Sequence, residues 1–271
     1  MSTRIHHCFE ELRSNGRKGF IAYICAGDPG LDETVDTVLR LEDAGADIVE
    51  LGIPFSDPLA DGVVNQFAAA RALEAGTTVS GVLKAVGKIR ARSQVPLVFM
   101  TYVNPIYARG YESFARDASE AGVDGVLITD LPVEECDEYI DAVQAHALDN
   151  IYLVAPTSTD ERIGRICQHG TGFIYCVSRE GVTGMQNKIS DGASELLKKT
   201  RSQTELPIAL GFGVSTTEQA RSAVQHADAV IVGSAIVNRL FEEGNSPEGR
   251  KRAATWTAEL VQAAKSVAGS Q

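Results

Sequence analysis

Positive charge is scarce in this sequence. Its 25 Lys and Arg stand against 36 Asp and Glu, for a formal net charge of -11 at pH 7. Binding a polyanion needs clustered cations that release counterions, so a nucleic-acid partner is disfavoured. The same deficit means that bulk attraction cannot hold an anionic substrate, and any phosphate has to be bound by local geometry. Long hydrophobic runs are missing as well, none approaching the roughly 20 residues that cross a bilayer. Met1 to Arg17 carries no apolar stretch of the secretory kind. These absences lead us to expect a soluble, cytoplasmic protein without a membrane partner. Cysteine is sparse and unpatterned: Cys8, Cys25, Cys136, Cys167 and Cys176 are odd in number and form no Cys-x-x-Cys pair. Reduced thiols that pack as small hydrophobes are the expectation. His6, His7, His146, His169 and His226 show no metal-ligand spacing, so no metal is expected. Low-complexity linkers and shifts of composition are absent too, and residues 1-271 are expected to form a single domain.

What is present is an alternation. Short β-branched apolar runs take turns with longer stretches of helical period, the pattern of repeated βα units around a parallel sheet. The strands are read at Phe20 to Cys25, Asp47 to Leu51, Pro96 to Tyr102, Gly125 to Thr129, Ile151 to Ala155, Gly172 to Val177, Pro207 to Leu210 and Ala229 to Val232. Eight such units predict a (β/α)8 TIM barrel, a fold that runs to roughly 250 residues as one domain. The helices between them are read at Asp32 to Ala44, Thr78 to Arg92, Tyr111 to Ala121, Val133 to Ala147, Asp160 to Cys167, Gly192 to Arg201 and Thr216 to Val224. Asp32 and Thr216 suit N-caps, while Gly45, Gly76 and Gly122 follow helices where a left-handed residue is wanted. An extra N-terminal helix, Met1 to Asn15, presents Ile5, Phe9 and Leu12 on one face to cover the barrel bottom. An extra short helix starts at Ser234 after the eighth strand, and a longer one runs from Pro247 to about Val267 with Trp256 as a core anchor. Irregular stretches after strands two and six, Gly52 to Phe67 and Ser178 to Asp191, fall on the C-terminal face where barrel enzymes place their chemistry.

Three segments carry candidate chemistry. Glu50 stands inside an apolar strand run, where an unpartnered ionised carboxyl would cost several kcal/mol. Its pKa should therefore rise, as an acid/base group working near neutral pH requires. Asp61, on the loop that follows, could reach back over the same mouth, and two carboxyls in different surroundings can hold opposite protonation states. A salt bridge within the barrel for Glu50 and a turn cap for Asp61 are the plainer alternatives. Gly211-Phe-Gly213-Val-Ser215 after strand seven and Gly233-Ser234 after strand eight stand where barrels commonly build a phosphate site. Glycine allows close backbone approach, and a helix N-terminus offers free N–H groups and partial positive charge. Either glycine motif alone could simply turn the chain. Ser178-Arg-Glu-Gly-Val-Thr-Gly184 could close as a lid, and Tyr175 in the strand before it could aim a phenol at the site or merely pack.

With those residues in view, the chain resembles the α subunit of tryptophan synthase over essentially its whole length. The matching strings are Gly27-Asp-Pro-Gly30, Glu50-Leu-Gly-Ile-Pro-Phe-Ser-Asp-Pro-Leu-Ala-Asp-Gly62, Asp130-Leu-Pro-Val-Glu-Glu135, Ser178-Arg-Glu-Gly-Val-Thr-Gly184, Gly211-Phe-Gly213 and Gly233-Ser-Ala-Ile-Val237. The long second string is the specific one. The resemblance implies a lyase that splits indole-3-glycerol phosphate into indole and glyceraldehyde 3-phosphate by a retro-aldol step in tryptophan biosynthesis. It implies Glu50 as general acid/base, Asp61 beside the indole nitrogen, and Tyr175 next to them. It implies Gly184, Gly213, Gly233 and Ser234 around the phosphate, and an indole pocket of Tyr23, Met100, Tyr102, Leu127, Thr183 and Phe212. No cofactor is implied in this chain; pyridoxal phosphate belongs to a β subunit, the expected partner in an α2β2 tetramer. Asp130 to Glu135 and Tyr102-Val-Asn-Pro-Ile-Tyr107 match the β-facing rim, where Pro105, Ile106 and Pro132 are expected to be exposed.

One departure stands out. Many members of that family have Pro after the Ala-Asp-Gly string, whereas Val63-Val-Asn-Gln66 follows here. Proline would fix φ and restrain the residue before it, so what holds Asp61 is left for the tertiary structure to answer. A regulatory subunit without turnover and another phosphate-binding barrel, such as a stand-alone indole-releasing lyase, share parts of this pattern. Intact Glu50 and Asp61 weigh against the first, and their long string against a neighbouring isomerase or synthase of the same pathway, while a stand-alone lyase stays open.

Overall fold

The eight apolar runs become strands β1 (Gly19–Cys25), β2 (Ile48–Gly52), β3 (Leu97–Thr101), β4 (Gly125–Ile128), β5 (Asp149–Val154), β6 (Ile174–Val177), β7 (Ile208–Gly211) and β8 (Ala229–Val232). They are seen in a computed structural model that describes residues 3–178, 190–211 and 213–267. The strands pair in parallel in chain order, and β8 returns to β1 to close the expected barrel. Strands covered on both sides need no polar face, which is why they read as continuous apolar runs. One set of side chains, including Ile21, Ile48, Val98, Leu127, Ile151 and Phe173, points inward and fills the barrel. The alternate set, including Phe20, Val49, Leu97 and Phe99, packs outward against the helices.

Helix α1 (Arg4–Ser14) is capped by the Thr3 side chain and buries Ile5, Phe9 and Leu12 under the barrel, as its sequence pattern predicts. The Phe9 and Phe173 rings lie 5.9 Å apart there. At this end, aspartates placed at or just before strands secure the adjoining strand. Asp47 accepts from Phe20 N and pairs with Lys265; Asp124 accepts from Leu97 N and pairs with Arg90 and Arg4; Asp228 accepts from Ile208 N and pairs with Arg201.

The remaining helices are α2 (Leu31–Asp43), α3 (Val63–Glu74), α4 (Val79–Arg90), α5 (Val103–Tyr107), α6 (Tyr111–Ala121), α7 (Asp137–Ala145), α8 (Asp160–His169), α9 (Asp191–Arg201), α10 (Thr217–Val224), α11 (Ser234–Glu243) and α12 (Pro247–Lys265). Thr216 caps α10 in a full capping box with Gln219. Gly45, Gly76 and Gly122 take the left-handed conformation, with φ of 95°, 81° and 100°.

Several sequence expectations are corrected. The N-cap of α2 is Gly30, and Asp32 lies inside the first turn, where it pairs with Lys88 of α4. The stretch expected to be irregular up to Phe67 already contains the start of α3. This helix carries apolar residues on its solvent side too, with Val63 64% and Phe67 63% exposed, so its sequence shows no clean stripe. A single helix over Val133 to Ala147 is replaced by a 3₁₀ turn, Val133–Glu135, and then α7. Cys136 occupies the break, with its thiol held between Val133 O and the Tyr152 hydroxyl. Trp256 is only half-buried; it leans on the core with the Arg239 guanidinium 5.9 Å above its ring.

Candidate functional site

Glu50 is the central residue of β2, flanked in register by Tyr23 of β1 and Val98 of β3. It is fully buried, and neither carboxyl oxygen has a hydrogen-bond partner among the described residues. Among the described residues the salt-bridge alternative is thereby set aside. Burial disfavours the charged form and pushes this carboxyl up to about 8. Both protonation states are then accessible near neutral pH, a property that an ordinary glutamate lacks.

Two phenols share its surroundings. Burial holds Tyr23 and Tyr175 neutral, and the charges of Glu50 and Asp61 reinforce that effect on each. Both rings fit because a neighbouring strand ends in glycine. The Tyr23 phenol occupies the space a side chain at Gly52 would need, and a Cβ at Gly211 would lie 2.6 Å from the Tyr175 hydroxyl. Tyr175 therefore does reach inward over β7 rather than outward to the helices.

Asp61 follows a different logic. Its carboxylate accepts a 2.9 Å hydrogen bond from the Tyr102 hydroxyl, which itself accepts from Ala60 N at 2.9 Å. One phenol thus clamps both the backbone and the side chain of this loop. The Tyr102 ring also lies 5.3 Å from that of Phe55. Partial burial raises the Asp61 pKa, while hydrogen bonds from Tyr102 and Asn65 work in the opposite direction. Tyr23, Cys25, Asp61, Asn65, Met100, Tyr102 and Thr129 line one small recess, whose lining does not include Glu50. Leu127 lies deeper, fully buried inside the barrel beside Met100. Two roomier recesses, one under α1 and one beside the Arg71–Asp28 pair, contain neither Glu50 nor Asp61.

Across the mouth, Gly213 has φ 76°, which strains any other residue, and nothing within 4 Å of the place its Cβ would occupy. Gly233 follows β8 and is the N-cap of α11, with no side chain to bond the first-turn N–H groups that begin at Ser234. This is open backbone of the kind that receives a phosphate. Thr183, Gly184 and Phe212 lie outside the described residues. Among the described residues, no three His, Cys, Asp or Glu side chains come together as a metal site, and no helix is long and apolar enough to cross a membrane. All five cysteines are free.

On the rim, Pro105 and Pro132 are half-buried, but Ile106 is completely buried, against expectation. Helix α5 turns a segment expected to be a plain loop, so that Ile106 joins the core and Tyr107, 68% exposed, faces solvent. Leu59, on the loop after β2, is 90% exposed.

This arrangement has counterparts among known proteins. The sequence profile of the tryptophan synthase alpha chain matches residues 9–267. The chain belongs to the tryptophan synthase alpha chain family. The alpha chain of Opitutus terrae is 49% identical over 246 residues, covering 91% of this chain and 92% of that protein. That of Geobacter sulfurreducens is 46% identical over 261 residues, covering 96% and 98%. The crystal structure of tryptophan synthase subunit alpha from Legionella pneumophila superposes with a TM-score of 0.90 at 37% identity, covering 98% of this chain and 100% of that one. The chain is accordingly a lyase of tryptophan biosynthesis built on a TIM barrel.

Reading residues one at a time missed three participants in this site. Gly52 and Gly211 make room for the phenols, and Asn65 approaches Asp61 from α3. The last had a signal: Asn65 is four residues after Asp61, one helical turn away, in a run that is otherwise mostly apolar.

Proposed function

We propose that this alpha chain cleaves indole-3-glycerol phosphate with Glu50 as general acid and then general base, while ionised Asp61 stabilises the charge that develops on the ring nitrogen. Protonated Glu50 delivers its proton to indole C3, which gives an iminium-like ring cation. The carboxylate so formed takes the proton from the side-chain hydroxyl next to the breaking bond. The carbon–carbon bond then breaks, its electron pair returns to the ring, and a carbonyl forms on the departing glyceraldehyde 3-phosphate. Glu50 ends as it began, protonated, and no net proton or electron is needed from outside.

The observation that carries this reading is the isolation of Glu50: fully buried, without a hydrogen-bond partner among the described residues, and pushed up to about 8. A general acid/base performs best when its pKa lies near the working pH. Asp61 suits the second role because it is oriented by Tyr102 at the edge of the same group of residues. Tyr175 borders the reacting carbon, and Tyr23, Met100 and Tyr102 receive the ring, with Leu127 beneath and Thr183 and Phe212 completing the pocket. The phosphate is held by backbone N–H groups at Gly184, Gly213, Gly233 and Ser234. These steps call for no cofactor in this chain.

The partner in this reading is a tryptophan synthase β subunit, which carries pyridoxal phosphate, in an α2β2 assembly. Exposed Leu59 and Tyr107 on the loops after β2 and β3 support a docking face at that end of the barrel. Residues 1-271 act as one domain, and five free thiols suit the reducing cytoplasm.

Incubation of the purified chain with indole-3-glycerol phosphate, with and without a cognate β subunit, tests the reading. Equal amounts of indole and glyceraldehyde 3-phosphate are expected, formed faster in the complex. No indole under either condition would overturn it.

A further inference from the structure

With Val63 where a proline could have stiffened the loop, two side chains hold Asp61. Gln66 Nε2 donates to its backbone oxygen at 2.8 Å. The Tyr102 hydroxyl donates to its carboxylate at 2.9 Å and accepts from Ala60 N at 2.9 Å. Only the second reaches the group the reaction uses, so the aim of Asp61 is inherited from that of Tyr102. What aims Tyr102 is visible at its two neighbours. Thr101 O accepts from Thr129 N at 2.9 Å and from the Thr129 hydroxyl at 3.2 Å, while Val103 N donates to Asp130 Oδ1 at 2.7 Å. Two consecutive residues after β4 thus stake the backbone on either side of Tyr102. The Asp130 bond has a local reason. Tyr102 is the N-cap of α5, a place whose side chain ordinarily bonds first-turn N–H groups, but its phenol is turned to Asp61 and makes no such bond. Pro105 has no N–H to satisfy, and Asp130 serves Val103 from a separate loop.

We propose that Asp130 is a positioning residue for the reaction: by holding Val103 it fixes the backbone from which the Tyr102 phenol reaches across to Asp61, and so keeps that carboxylate in place at the indole ring. This inference rests on the role given to Asp61 above. A phenol is a long lever, and a small rotation of its backbone becomes a larger displacement at the hydroxyl. A misplacement of about 1 Å in a catalytic constellation can cost up to roughly 10² in rate. Asp130 is itself exposed and touches neither Asp61 nor Glu50 in any recorded hydrogen bond, so its effect on the reaction passes through Val103 and Tyr102. An ordinary surface cap would add stability and nothing more, and the two roles separate by experiment.

The test measures kcat and KM for indole formation, together with Tm, for the wild-type chain, Asp130→Ala and Asp130→Asn, each alone and combined with Tyr102→Phe. Loss of a helix cap centres the expected fall in kcat of Asp130→Ala near about fivefold and bounds it at about thirtyfold. KM should stay within about twofold, since the groups that bind the phosphate are untouched. Asp130→Asn keeps an acceptor oxygen and should restore kcat to within about twofold of the wild type. Tyr102→Phe alone should lose at least as much as Asp130→Ala. In that background Asp130→Ala should change kcat by no more than about twofold, because no hydroxyl is left to aim, while its cost in Tm should be the same in both backgrounds. A lower Tm with wild-type kcat in Asp130→Ala overturns the proposal, as does an equal fall in kcat with and without the Tyr102 hydroxyl. If Asp130→Ala does not fold, Asp130→Ser takes its place in the same cycle under the same two overturning results. Wild-type kcat in Asp61→Asn would instead remove the role of Asp61 on which the inference stands.

Discussion

Three aspartates at the bottom of the barrel and one glutamate at its top meet burial in opposite ways. At the bottom, Asp47, Asp124 and Asp228 each accept a backbone N–H from an adjacent strand and pair with a cation. At the top, Glu50 is buried at least as deeply and has neither among the described residues. Burial alone therefore does not separate a functional carboxyl from a structural one; the supply of partners does. A paired carboxylate stays ionised and ties strands together. An unpaired one is driven toward its neutral form, and its titration moves into the range where proton transfer is useful. The division agrees with the general rule that a barrel's bottom serves stability and its C-terminal face serves chemistry.

The sharpest way to break the comparison is to neutralise the lone carboxyl. Glu50→Gln removes the proton donor and acceptor, so the chemical step should fall by roughly 10² to 10⁴. Thermal stability should stay level or rise, because no partner is stranded. Near-normal turnover, measured where chemistry limits the rate, would remove Glu50 from the mechanism.

The opposite experiment is made at the bottom. Asp124→Ala leaves Arg90 with only backbone acceptors, among them Gly122 and Val95, and without its counter-ion, and leaves the Leu97 N–H without its acceptor; breaking a buried pair of this kind costs about 3 to 5 kcal/mol. Urea unfolding should register the loss, while the folded variant keeps close to wild-type kcat. A large fall in kcat with unchanged stability would contradict the division of labour.

A pH series sharpens the contrast further. Glu50 binds its proton more tightly folded than unfolded, since its pKa rises from 4.5 to about 8. Below pH 4.5 both states are protonated and no penalty applies. Between 4.5 and about 8 the unfolded state alone releases the proton, so stability falls with rising pH; above 8 the penalty is constant. Relative to Glu50→Gln, the wild type should lose a few kcal/mol across this window. A difference between the two that does not vary with pH would show that Glu50 is not shifted.

The smallest expected effect concerns the seat of Tyr175. Gly211→Ala would force the phenol aside, at a cost of about 1 to 3 kcal/mol for overpacking. Indole formation should fall along with it. If a crystal structure of the variant showed Tyr175 unmoved, the account of this glycine would fail.

How much of this was legible beforehand varied with the kind of order involved. The strands were legible because a strand covered on both sides has only one composition to choose. Helix α1 was legible because Ile5, Phe9 and Leu12 fall on one face. Helix α3 was not, since Val63 and Phe67 place apolar side chains in solvent and erase the stripe that periodicity detects. Ile106 was assigned to the rim because nothing in its own segment announced the turn of helix that carries it inward.

Glu50 and Asp61 drew attention as carboxyls in improbable places, and a sequence can show that much: which residue types stand in which local pattern. It also determined the βα alternation, and with it the end of the barrel where chemistry gathers. Only the tertiary structure decided which carboxyls find partners. Tyr102 reaches Asp61 from 41 residues away, Asp124 meets Arg90 from 34, and Glu50 meets no partner among the described residues. Partnership depends on distances between side chains from separate strands and loops. Those distances exist only once the barrel has closed, so the protonation states they set could not be read from the chain.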